Sequence, residues 1–133
     1  MGRKVSDGKA FDAASPGAEV IVDYDLYRIG GWNGCAVGSK LAADTDRMQA
    51  FECDTAAIYS IEVPAALNPA VGAYLWWTVN DATTFQRGDT DLLAADPAAA
   101  GVSNEPCFKV LVAKNAAGCV QGRVLQSAPL EVV

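Results

Sequence analysis

The chain of 133 residues contains no histidine. That absence removes the commonest general acid or base, the usual partner of a serine or cysteine nucleophile, and the commonest metal ligand. Carboxylate, lysine, tyrosine and cysteine chemistry stays open, but the expectation is a protein that binds rather than catalyses. Positive charge is scarce too, with ten Lys and Arg against sixteen Asp and Glu and a net charge of −6. Affinity for nucleic acid comes from neutralising phosphates, and these basic residues are scattered without forming a basic face. DNA, RNA and anionic membranes are therefore not expected partners.

No Cys-x-x-Cys pair and no zinc spacing occurs among Cys35, Cys53, Cys107 and Cys119. The opening Met1-Gly2-Arg3-Lys4-Val5-Ser6-Asp7-Gly8 has no apolar run behind its basic residues, so no secretory signal is expected. Reduced, buried thiols follow as the expectation, with two disulfides in one of three pairings as the alternative. Long hydrophobic runs are missing as well. The most apolar window, Val63 to Val79, is broken by Pro64, Asn68, Pro69 and Gly72. Its unbroken parts fall short of the ~20 residues a membrane span needs.

What is present is a pattern of short apolar bursts between turn residues. Hydrophobic residues make up 51% and charged residues 20%, which suits one globular domain. Residues 1–17 read as a polar, Gly-containing arm ending in Ser15-Pro16-Gly17, and residues 18–133 as a single β-domain. Strands are predicted at Glu19–Val22, Leu26–Ile29, Trp32–Val37, Met48–Cys53, Ile58–Val63 and Ala73–Val79. Gly34 inside the third strand marks a bulge or a close approach. The clearest hairpin joins Cys107–Ala113 to Cys119–Gln126 through Asn115-Ala116-Ala117-Gly118, a type I turn with Gly118 left-handed. Helical signal is confined to Asp96-Pro97-Ala98-Ala99-Ala100-Gly101, one turn or two. The predicted fold is all-β: a small sandwich or barrel-like domain with an extended N-terminal arm and at most one short helical turn.

Chemistry-bearing constellations are few. The acidic pairs Asp23/Asp25, Asp44/Asp46 and Asp89/Asp91 suit turns, where Asp bonds its own backbone. A hard cation is the alternative reading, best placed at Asp89/Asp91. No catalytic residue, metal or cofactor is expected. Adjacent Trp76 and Trp77 in one strand must point to opposite faces, so one of them, like Trp32, is a candidate interface anchor. The residues expected to touch partners are Arg3, Lys4 and Val5 in the arm, Trp32, Trp77, and Leu130, Val132 and Val133 at the end. The last three are apolar enough to add an edge strand to another chain.

The order of these segments resembles the small capsid decoration (cement) proteins of tailed bacteriophages. Asp25-Leu26-Tyr27-Arg28-Ile29-Gly30-Gly31 followed by Gly34-Cys35-Ala36-Val37 is similar to a paired motif of that family. So are Val71-Gly72-Ala73-Tyr74-Leu75-Trp76-Trp77, and the ending from Ala117-Gly118 to Arg123-Val124-Leu125. The loop from Asp89 to Glu105 is longer than the family leads one to expect, and reads as an insertion that contacts neighbours. The resemblance implies a β-domain on the outer surface of a virion, made in the host cytoplasm. There it would bind the major capsid protein, as a homotrimer, and reinforce capsomer junctions. Another virion subunit, in the tail tube or the head–tail connector, is the nearest alternative. A small metal-dependent enzyme or ligand-binding β-domain is a more distant one.

Overall fold

Leu26–Ile29 and Trp32–Val37 (β2 and β3) are joined by two glycines alone, with Ile29 opposite Trp32. Gly30 and Gly31 both have positive φ, 58° and 85°. A two-residue hairpin matching the strand twist requires that of both central residues, and only glycine adopts it without strain. This hairpin is the centre of the first sheet.

The computed structural model describes residues 9–14, 19–44, 48–81, 84–94, 102–103 and 105–126. Besides β2 and β3, its elements are β1 (Ala10–Ala14), β4 (Met48–Glu52), β5 (Tyr59–Glu62), β6 (Tyr74–Trp77) and β7 (Gln86–Arg87). The single helical turn α1 (Gly88–Asp91), β8 (Leu92–Ala94), β9 (Phe108–Val112) and β10 (Cys119–Val124) follow. Two antiparallel five-stranded sheets result, ordered β1-β4-β3-β2-β7 and β5-β10-β9-β6-β8. One of them curls into a half-barrel. The expected all-β class is the observed one.

The strands of the first sheet bury both faces. Leu26 and Cys35 join the core between the sheets, packing with Ile61, Leu75, Trp77, Phe108, Val110 and Val120 from the second. On the other face, Tyr27, Ile29, Ala36, Phe51 and Ile21 form a second cluster, covered by Phe11, Ala13 and Phe85. Phe11 stacks on Phe51 at 5.2 Å, and Phe85 on Tyr27 at 5.8 Å. Gly34 is where Phe11 comes closest, since a Cβ there would lie 2.9 Å from the Phe11 ring and 2.9 Å from Phe51. The expected close approach is thus real.

Several expectations change. Ala10–Ala14 fell within the predicted arm, yet it pairs with β4 over five residues as an edge strand. Alternation explains this, because Phe11 and Ala13 face the second cluster while Asp12 faces out. Glu19–Val22, predicted as a strand, makes only an isolated bridge between Ile21 and Lys40. The chain turns immediately afterwards, at Asp23 and Tyr24, where Tyr24 takes φ 64°. The segment Asp54–Ala57 joins β4 to β5 across from one sheet to the other. Part of the long segment after Asp89 is regular: α1 leads into β8, which pairs with β6. The helical signal at Asp96–Gly101 lies outside the described residues.

The C-terminal hairpin is as predicted. The Gly118 N–H donates to Asn115 O at 3.1 Å, and Gly118 has φ 84°. Asn115 Oδ1 accepts from the N–H groups of Ala117 and Cys119, each at 3.0 Å.

Candidate functional site

The residues expected to touch partners divide sharply. Arg3, Lys4, Val5, Leu130, Val132 and Val133 lie outside the described residues. Trp32 is half-buried, 5.6 Å from the Phe11 ring. Trp77 is a correction: it is 0% exposed and belongs to the core between the sheets. Its indole N–H donates to Asn33 Oδ1 at 2.8 Å, so the polar edge is satisfied inside the protein. Trp76 on the opposite face is also buried, at 8% exposure. Both faces of β6 are thus buried at its tryptophans, which the alternation of a single strand could not reveal.

Asn33 lies at the β2–β3 turn end of β3. Its Nδ2 donates to Leu125 O at 2.7 Å, its backbone N–H to Gln126 Oε1 at 3.0 Å, and Gln126 Nε2 returns a bond to its carbonyl at 2.7 Å. Ser103 holds the same region by bonding both backbone groups of Trp77. This end joins the two sheets through satisfied hydrogen bonds.

The other end of β3 is open. Ile21 bridges Lys40, Tyr24 N–H donates to Ala36 O, and Val37 lies opposite Ala50. These pairings gather Val20, Val22, Tyr24, Val37, Leu41 and Met48 around one end of the sheet. All six are exposed, Leu41 at 70% and Met48 at 62%. The loops carrying them are pinned from beneath. Buried Lys40 donates from Nζ to the carbonyls of Glu19 and Leu41, and Gln49 from Nε2 to those of Val37 and Gly38. Asp23 Oδ1 accepts the Gly38 N–H at 2.7 Å. Apolar side chains on a fixed frame suit recognition, because little ordering entropy remains to be lost on binding.

Beside this rim a second feature gathers acid. Asp25 leads into β2, Glu62 ends β5, and Asp89 sits in α1. A carboxylate oxygen from each lies within 4.8 Å of the others. Burial, together with the charges of Glu62 and Asp89, pushes the Asp25 carboxyl up to about 6, although the Glu62 N–H donated to it pulls the other way. A cleft of about 460 Å³ opens alongside, lined by Glu62, Asp89, Lys114 and the Asn115–Gly118 turn.

The sequence pairs therefore split. Asp91 performs the predicted local turn chemistry, its Oδ2 accepting the Arg87 N–H at 2.8 Å, whereas Asp23 reaches across to the Gly38 N–H of a different loop. Asp25 and Asp89 instead meet each other and Glu62. Their adjacency depends on the packing of α1 against β2, and no local spacing reports it. Asp46 lies outside the described residues.

All four cysteines are free thiols, with Cys35, Cys53 and Cys107 buried and Cys119 half-buried. Burial drives the Cys35 and Cys107 thiols well above the ordinary range. Buried thiols of that kind are packing groups, not nucleophiles. No helix among the described residues is long and apolar enough to cross a membrane. In comparisons with known proteins, the chain matches no family model, no curated protein and no solved structure.

Proposed function

We propose that this chain is a capsid decoration protein of a tailed bacteriophage, binding the outer surface of the shell and reinforcing capsomer junctions. The observation that carries the reading is the rim of six exposed apolar side chains at the open end of β3. Its loops flank Asp25–Gly31 and Gly34–Val37, the segments that carry the resemblance to that family. A fixed rim of Val, Leu, Met and Tyr suits docking into apolar depressions on a protein surface. A negative net charge suits an outer surface that never meets packaged nucleic acid.

The mechanism is stapling. A rigid β-body spans neighbouring shell subunits, and the two chain ends add further contacts. A homotrimer presents three rims at once, so the second and third contacts form at high effective concentration. Major capsid protein and further copies of this chain are the partners in this reading, and the outer virion surface is its place.

The test is addition of purified protein to shells that lack it. Decorated shells should melt at higher temperature and survive higher internal pressure. Shells that gain neither property rule the function out, and assembly of the isolated protein into closed rings would favour the tail-tube or connector alternative.

A further inference from the structure

We propose that Asp25, Glu62 and Asp89 form a calcium site that ties the two sheets together. Three elements converge there: the lead into β2 in the first sheet, the end of β5 at the edge of the second, and α1. The turn α1 itself connects β7 of the first sheet to β8 of the second. An ion at this point would crosslink the layers.

Two independent observations point to a ligand. The first is geometric. Two oxygens sharing a Ca²⁺ at its usual 2.3–2.6 Å can stand up to ~5 Å apart, and the three carboxylates each bring an oxygen within 4.8 Å of the others. The second is an orphaned atom within the cluster. Asp25 is only 8% exposed, and its Oδ2 has no hydrogen-bond partner among the described residues. Its other oxygen accepts the Glu62 N–H at a long 3.4 Å. A buried carboxylate without a partner is costly, and here two more carboxylates add to the negative potential.

Nearby cations are committed elsewhere. Arg87 pairs with Glu19. Lys114 lines the cleft but spends its Nζ on the carbonyls of Pro64, Ala65 and Leu67. Neither Arg87 nor Lys114 therefore supplies the missing positive charge, which an ion from solution would bring. A hard cation with a flexible shell of six to eight oxygens fits three carboxylates and a solvent-filled cleft that supplies the remaining waters.

This inference does not depend on the shell-binding reading, and its test uses the full chain alone. The protein is stripped with chelator at pH 7.5 and melted across a CaCl₂ series. A dissociation constant of ~10⁻⁴ M and a rise in melting temperature of about 5–10 °C at hundredfold excess are expected. Asp89→Asn should abolish the rise. Asp25→Asn should abolish it too while melting above the wild type in chelator, which shows that this variant is folded. Terbium luminescence excited through the tyrosines and tryptophans gives a second readout, and it should fall to background in both variants. No response to calcium overturns the site. So does a response that Asp89→Asn keeps, or an equal rise with NaCl at matched ionic strength.

Discussion

The two ends of β3 are built on opposite principles. At Asn33, side-chain and backbone polar groups are met by Trp77, Leu125 and Gln126. At Val37, apolar side chains stand in water and an acidic corner keeps an oxygen unpartnered. A fold that needed only stability would bury the second end as well as it does the first. The difference teaches where the molecule closes on itself and where it leaves apolar side chains in water.

Breaking the closed end should have the largest effect. Asn33→Ala orphans the Trp77 indole N–H and the Leu125 carbonyl in the interior, at a cost of about 3 kcal/mol. Denaturant melts should show a lower midpoint with an unchanged slope. A loss below about 0.5 kcal/mol would mean that the Asn33 junction is not structural.

The acidic corner should respond in the other direction. The native Asp25 carboxyl titrates near 6 against an ordinary 3.8, so the native state takes up its proton first as pH falls. Above the native value the charge is buried at full cost. As pH drops from about 7 towards 4, this group's contribution to stability rises, by about 1–2 kcal/mol once solvent screening is allowed for. In chelator, Asp25→Asn should capture that gain at pH 7 and flatten the profile over the same window. Melts at half-unit pH steps read both effects, and identical profiles for variant and wild type would contradict them.

Substitutions on the rim should leave the fold alone. Leu41→Asp is expected to shift stability by less than about 0.5 kcal/mol, because the side chain makes few contacts to lose. The same change should weaken attachment to shells tenfold or more, a central apolar contact being worth roughly 1–2 kcal/mol or above. The smallest effect is chemical. With a maleimide on the native protein, half-buried Cys119 should label first, while Cys35 and Cys107 wait for unfolding. Peptide mapping after short exposure decides the order.

Much of this contrast was legible in the sequence, though unevenly. Gly30-Gly31 between two apolar runs specifies its hairpin by local chemistry alone, and so does the turn from Asn115 to Gly118. Strand alternation groups Tyr59, Ile61 and Val63 on one face and Phe108, Val110 and Val112 on another, and all of them are buried except Val112, which is 48% exposed. Local rules failed where a third element decides the outcome. Trp77 looked free to face outward until β8, β9 and Asn33 surrounded it. Glu19–Val22 had strand composition, but Tyr24 turns the chain before a ladder can form. Asp25 and Asp89 looked like halves of two separate turns, 64 residues apart in the numbering, and only the packing of α1 against β2 makes them neighbours. The rim was invisible for the same reason, since its six residues come from four separate stretches of chain.

The claim that the open end of β3 is the working surface is tested most directly by co-sedimentation with decoration-free shells. Wild-type protein, Leu41→Asp and Lys109→Ala, a change on the distant β9, are spun with the same shells at equal concentration. The account predicts that wild type and Lys109→Ala pellet alike while Leu41→Asp stays in the supernatant with its melting temperature unchanged. Equal pelleting of all three, or of none, would contradict it.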